Sequence, residues 1–229
     1  MPQEYRAFLF DAYGTLFDVH SVVARAGAGI AGDLASLSQL WRQKQLEFTW
    51  LRALMDRYQD FWQITEASLR TALTQLKMEA SEPQLRQLLD AYLTPAVFPD
   101  VIVALDALSA FPCAILSNGS PAMLKAAVRN NGLESYFAGI ISVDQIKTYK
   151  PSPRVYQLGA EALDLPKEEI LFVSSNAWDA AGAKAFGYGV CWCNRSGRVM
   201  DQLGFVPDMI VTSLDQILSR ARQQAVPLQ

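Results

Sequence analysis

Short apolar runs recur along the chain: AFLFD (residues 7–11), CAILSN (113–118), GIISV (139–143), ILFVSS (170–175), GVCWCN (189–194) and MIVTS (209–213). They are rich in Ile, Val, Phe and Cys and do not alternate with polar residues, the pattern of strands buried on both faces. Helix-period patterns lie between them, over about 100–110, 121–131, 153–163, 177–186 and 213–224. Strands alternating with helices predict a parallel, doubly wound α/β sheet with right-handed crossovers.

One region breaks the rhythm. From about 19 to 95 there is no strand-like run. Within 36–58, apolar Leu37, Leu40, Trp41, Leu51, Leu54, Met55 and Tyr58 recur at helix spacing, with Ser36 as the expected N-cap. The stretches 66–78 and 83–93 repeat the signal. The expected organisation is an α/β core of residues 1–18 and 96–229, with a helical cap of residues 19–95 inserted after the first strand. No internal repeat is evident, which removes solenoids.

In an open α/β sheet, ligands sit beyond the carboxyl ends of the strands. Polar residues converge there: Asp11 to Thr15, Ser117-Asn118-Gly119, Lys150, and Ser174-Ser175-Asn176 with Asp179. Asp11, followed by a turn containing Gly14 and Thr15, is placed to act as a nucleophile if the turn's donors hold one of its oxygens. Taken alone, it reads equally as a turn cap. Lys150 is placed to neutralise the site, though by itself it also reads as a surface lysine. Asp179 is placed to polarise a water that Ser174 and Asn176 direct, or to complement the dipole of its own helix. Arg42 matters only if the helical segment closes over the site, where it would bind an anion.

Composition narrows the chemistry. Of 229 residues, 51% are hydrophobic and 19% charged, and the net charge is −3 with no Lys/Arg run, so neither disorder nor a nucleic-acid partner is expected. The opening MPQEYRAFLF reads as neither a signal peptide nor a membrane span. Cys113, Cys191 and Cys193 form an odd set that fits a reducing cytoplasm, and the C-x-C pair lacks further ligands at metal spacing. The single histidine, His20, leaves acid–base chemistry to carboxylates, Lys or Tyr.

The stretches FDAYGTLFD (10–18), LSNGS (116–120), YKPSPRVY (149–156) and FVSSNAWDAAGA (172–183) resemble, in order, the four motifs of the haloacid dehalogenase superfamily. They are most similar to those of the L-2-haloacid dehalogenases. The resemblance implies a Rossmann-like, doubly wound core with an inserted helical cap. Two departures separate the chain from the superfamily's phosphatases. Their first motif is D-x-D-x-T, in which the second Asp is an acid–base group and a Mg²⁺ ligand through its carbonyl; here that position is Tyr13. Their fourth motif typically carries G-D-x-x-x-D; here Ser174-Ser175 stand at its start and Asp179 at its end. The expectation is therefore no metal and no cofactor.

What the resemblance implies is attack of Asp11 on the halogen-bearing carbon of a short (S)-2-haloacid, with inversion, giving an aspartyl ester and halide. Water activated by Asp179, with Lys150 and Asn176, then releases an (R)-2-hydroxy acid. Thr15, Ser117, Tyr156 and Ser174 would support nucleophile and substrate. Arg42 and Asn118 would receive the halide, while Ser117 would bind the carboxylate. Tyr13, Gln43, Leu46, Phe61 and Trp178 would line a dry pocket. Relatives imply a homodimer, with the helix over 36–58 as its interface; no membrane or nucleic-acid partner is expected. A metal-dependent small-molecule phosphatase of the same superfamily and a non-catalytic partner-binding protein are the alternatives.

Overall fold

The six apolar runs all become strands of one parallel sheet. The structure, a computed structural model, describes residues 4–225. Its strands are β1 (Ala7–Phe10), β2 (Phe17–Asp18), β3 (Ala96–Val97), β4 (Cys113–Ser117), β5 (Gly139–Ser142), β6 (Ile170–Ser174), β7 (Gly189–Cys193) and β8 (Met209–Val211). The parallel sheet has the order β5–β4–β1–β6–β7–β8, and β2 and β3 form a separate antiparallel ladder that the sequence pattern did not reveal. Strands β1, β4, β6 and β7 are buried along their whole length, whereas Ile210 on the edge strand β8 is exposed. That difference explains why the central strands read as unbroken apolar runs.

Register sets the site. Phe10 pairs with Ile115 on one side and with Val173 on the other, so Asp11 emerges level with the ends of β4 and β6. The chain runs outward from β1 through β4 to β5, then returns to the other side of β1 as β6. Such a reversal opens a crevice above the strand ends.

The helices are α1 (His20–Ala26), α2 (Leu34–Leu54), α3 (Phe61–Gln75), α4 (Glu82–Ala91), α5 (Val101–Ala107), α6 (Pro121–Asn130), α7 (Pro153–Leu163), α8 (Ala177–Phe186) and α9 (Ile217–Ala225). In chain order α1 to α4 lie between β2 and β3, the stretch expected to be purely helical. Helix α7 packs on β4 and β5, and α8 on β6 and β7.

Two boundaries differ from expectation. The N-cap of α2 is Asp33, not Ser36: Asp33 accepts from the amides of Ala35 and Ser36, and the Ser36 hydroxyl donates to it as well. A carboxylate three residues earlier outcompetes the serine for the orphan amides. The helix also stops at Leu54, with Asp56 at φ +52, leaving Leu51, Leu54 and Met55 exposed. Its buried stripe is instead Leu37, Trp41, Gln45 and Thr49, four residues apart throughout. Trp41 closes α2 onto α3, donating to the Thr65 carbonyl at 2.9 Å. Burying side chains of this size contributes about 1.5–3 kcal/mol each.

Candidate active site

The turn after β1 builds the first half of the site. Gly14 has φ +94, a conformation that glycine adopts without strain. The turn folds back so that the amides of Thr15 and Leu16 donate to the Ala12 carbonyl. Thr15 Oγ1 thereby reaches Asp11 Oδ2 at 2.9 Å and also accepts from the Ser175 amide at 2.8 Å. Asn176 Nδ2, from the end of β6, donates to the same Oδ2 at 2.9 Å. Among the described residues, Asp11 Oδ1 accepts only from Lys150 Nζ, at 3.1 Å. A carboxylate oxygen has two lone-pair sites. Both of those on Oδ2 are committed, and one on Oδ1 is free.

Lys150 bridges two carboxylates. Its Nζ donates to Asp179 Oδ2 at 3.0 Å and lies 4.8 Å from the centre of the Phe172 ring. Its amide is held by Asn118 Oδ1 at 3.0 Å. Asp179 is wholly buried, with its Oδ1 accepting from the Tyr156 hydroxyl at 2.8 Å. Burial pushes the Asp179 carboxyl up to about 6, helped by the Asp11 charge and opposed by Lys150 and the Tyr156 hydrogen bond. Burial, and then Asp179, keep the Tyr156 phenol far above its ordinary range, so Tyr156 stays a donor. Gly182 on α8 makes this contact possible, because a Cβ there would lie 2.6 Å from the Tyr156 oxygen.

Above Asp11 lies a cavity of about 10 Å³, room for roughly one water centre. Asp11, Tyr13, Arg42, Leu46, Phe61, Ser117, Asn118, Asn176 and Trp178 line it, so most of the expected pocket is assembled. Tyr13 packs in tilted contact with Phe61 and Tyr92, at 5.8 and 5.7 Å between ring centres. Burial holds its phenol in the neutral form. Three buried donors of this lining, Tyr13 OH, Asn118 Nδ2 and Trp178 Nε1, have no partner among the described groups of the protein. Leaving such donors unpaired is costly, which fits a lining shaped for an anion.

Three expected site residues stand elsewhere. Gln43 is exposed and lines an outer depression of about 890 Å³, which shares Arg42 and Leu46 with the inner cavity. Residues 42 and 46, four apart, share the helix face that reaches the inner cavity, whereas Gln43 is turned away from it. Tyr156 and Ser174 sit behind the site: Tyr156 holds Asp179, and Ser174 Oγ accepts from the Asn176 amide at 3.1 Å. They position other groups and do not line the cavity.

The donor set does not fit a divalent ion held as in the phosphatases. The Tyr13 carbonyl, which would be a ligand, accepts from Arg42 Nη2 at 3.0 Å and Asn176 Nδ2 at 3.4 Å. Ser175 Oγ, at the position of the missing carboxylate, accepts from Arg195 Nη1 at 2.9 Å, and Arg195 is ion-paired with Asp100. Lys150 is already ion-paired with both remaining carboxylates. Oxygen atoms committed to cationic donors are poor Mg²⁺ ligands.

Sequence reasoning missed Gln45, Tyr92 and the Arg195–Asp100 pair. Gln45 was invisible because a polar residue in a helix ordinarily faces water; only its four-residue offset from Trp41 pointed inward.

Residues 5–187 match the family described as haloacid dehalogenase-like hydrolase. The chain is 48% identical to the (S)-2-haloacid dehalogenase of Pseudomonas sp. (strain YL), over 93% of each chain. It is 46% identical to haloacetate dehalogenase H-2 of Moraxella sp. (strain B), over 94% of this chain and 97% of that one. The L-2-haloacid dehalogenase from Xanthobacter autotrophicus, solved with chloropropionic acid covalently bound, superposes with a TM-score of 0.88 at 39% identity, covering 95% of this chain and 98% of that one.

Proposed function

The chain belongs to the L-2-haloacid dehalogenase family of the haloacid dehalogenase-like hydrolases and hydrolyses the carbon–halogen bond of (S)-2-haloacids; from that premise we propose that Asp11 carries the reaction through a covalent ester. The observation that carries this is the asymmetry of its carboxylate: Oδ2 accepts hydrogen bonds from both Thr15 and Asn176, whereas Oδ1 keeps a lone pair that no described residue engages.

That lone pair on Oδ1 forms a bond to C2 of the acid while the carbon–halogen bond breaks on the opposite face, inverting the centre. The halide departs with the bonding pair towards Arg42 and the Asn118 amide. Ser117 Oγ accepts from the Gly119 amide at 3.1 Å, which leaves its own proton for the substrate carboxylate. Tyr13, Leu46, Phe61 and Trp178 keep water from a nucleophile that hydration would weaken.

In the second step a water attacks Cγ of the ester and gives its proton to Asp179, a stronger base than an ordinary carboxylate at its raised pKa. Negative charge then gathers on Oδ2, where Thr15 Oγ1 and Asn176 Nδ2 already point. The tetrahedral centre collapses as Asp179 returns its proton to the departing C2 oxygen, so that the (R)-2-hydroxy acid leaves; the remaining proton on the Asp11 carboxyl is lost to solvent and the carboxylate is restored. Lys150 holds both carboxylates in register throughout.

Residues 19–95 act as the cap, carrying Arg42, Leu46 and Phe61 to the site. The exposed Leu51, Leu54 and Met55 at the end of α2 support a homodimer formed there. The buried free cysteines fit a reducing cytoplasm. Chloride release from (S)-2-chloropropionate with excess chelator tests the reading. We expect full activity in the wild type and none in a folded Asp11→Ala variant. Magnesium-dependent phosphate release from small phosphoesters, abolished by the chelator, would support the phosphatase alternative and contradict the proposal.

A further inference from the structure

We propose that Gln45 is a positioning residue that fixes Arg42 without quenching its charge; this rests on Arg42 receiving the halide. Gln45 is wholly buried in the inward stripe of α2. Its Oε1 accepts from Arg42 Nη1 at 2.7 Å and from the Tyr92 hydroxyl at 3.2 Å. Its Nε2 donates to Thr65 Oγ1 at 2.8 Å.

The direction of that amide is determined. The Thr65 hydroxyl gives its own proton to the Phe61 carbonyl at 2.6 Å, so Thr65 can only accept from Gln45. The NH₂ end of the amide must therefore face Thr65 and the oxygen must face Arg42. One side chain thus ties the guanidinium on α2 to Phe61, which starts α3 and forms another wall of the cavity.

The chemistry of the acceptor matters as much as its place. Arg42 is held by Gln45 Oε1 and by the Tyr13 carbonyl at 3.0 Å, both neutral. Among the described residues it makes no ion pair. A glutamate in place of Gln45 would grip the guanidinium more tightly, yet its charge would cancel the one a departing halide needs. A preorganised cation stabilises charge developing in a transition state only while that cation is uncompensated. The neutral amide meets both requirements: an oriented cation and an uncancelled one.

Single-turnover halide release, hydrolysis of the formed ester, and inhibition by added bromide are measured in Gln45→Glu, Gln45→Met and Arg42→Gln. In Gln45→Glu, which keeps the size and the acceptor, halide release should slow about tenfold or more and bromide inhibition should weaken similarly. Ester hydrolysis should change less than about twofold, because Arg42 does not touch the water or Asp179. In Gln45→Met, the loss of orientation should slow halide release as well, with bromide inhibition also weakened. A purely structural role would slow both half-reactions together, and that result in either variant would overturn the proposal. Wild-type bromide inhibition in Gln45→Glu would also overturn it. Unchanged halide release and bromide inhibition in Arg42→Gln would instead remove the role given to Arg42, an outcome separate from any failure at Gln45.

Discussion

Replacing Lys150 by Met removes the one cation between two buried carboxylates while keeping most of the side-chain volume. The lysine is about 1% exposed, its Nζ lies 3.1 Å from Asp11 Oδ1 and 3.0 Å from Asp179 Oδ2, and Asp179 has no exposure at all. Removing one partner of a buried ion pair costs roughly 3–5 kcal/mol, because the remaining charge is left in low dielectric. For a chain of this size each kcal/mol moves the melting midpoint by about 2–4 °C, so a fall of roughly 6–20 °C is expected near neutral pH. The deficit should depend on pH with a definite sign. Burial and the Asp11 charge raise the folded Asp179 pKa, and Lys150 is the chief opposing influence, so the variant's folded value lies above the wild type's value of about 6. A raised folded pKa means the stability is retained below the unfolded value, roughly 3.9, and is lost as pH rises through the folded one. Urea unfolding of both proteins at pH 5 and pH 8 measures this. The penalty should be full at pH 8 and clearly smaller at pH 5, where the buried carboxyl takes a proton. An equal penalty at both values would show that the lysine does not compensate a charged pair.

The other predictions concern the two chemical steps. Asp179→Asn should still release about one halide per active site in a burst, with ester hydrolysis slowed roughly 10²–10⁴-fold, the usual contribution of a positioned base; stopped-flow halide detection reads both phases. In the wild type, the steady-state rate should fall towards low pH as Asp179 becomes protonated and can no longer take the water's proton, with a midpoint below the free enzyme's value of about 6, because esterification removes the Asp11 charge that helps to raise it. Tyr13→Phe deletes a buried hydroxyl that has no partner among the described protein groups. Thermal stability should hold or improve, while kcat/KM falls roughly ten- to a hundredfold, the range of a hydrogen bond to a charged group.

Much of this was legible because parallel strands buried on both faces announce themselves, and polar residues at their carboxyl ends are then informative by position alone. Asp11, Ser117, Lys150, Asn176 and Asp179 were found on that basis, and the structure brings them together. What the sequence hid depended on the rotation of one helix. The apolar residues of α2 suggested a stripe through Leu51, Leu54 and Met55, but those residues are exposed and the buried stripe carries Gln45 and Thr49. Periodicity weighs residues by polarity, so a satisfied buried amide is counted on the wrong side. Gln45 was overlooked for that reason, while Gln43 was placed in the pocket only by the family resemblance. Helix α1 escaped notice because its seven residues are too few for a period to show, and because its N-cap residue, Val19, has no side chain that accepts a hydrogen bond. Long-range pairs such as Arg195 with Asp100 leave no local pattern.

The origin of the oxygen in the product tests the central claim most directly. A single turnover with enzyme in excess, run in ¹⁸O-water, distinguishes attack on the ester from attack on the substrate. If Asp11 Oδ1 bonds to C2 and water then attacks Cγ, the hydroxy acid leaves with unlabelled oxygen and the label appears in the peptide containing Asp11. Heavy oxygen in the hydroxy acid, with Asp11 unlabelled, would mean that water displaces the halide directly and that Asp11 is never esterified.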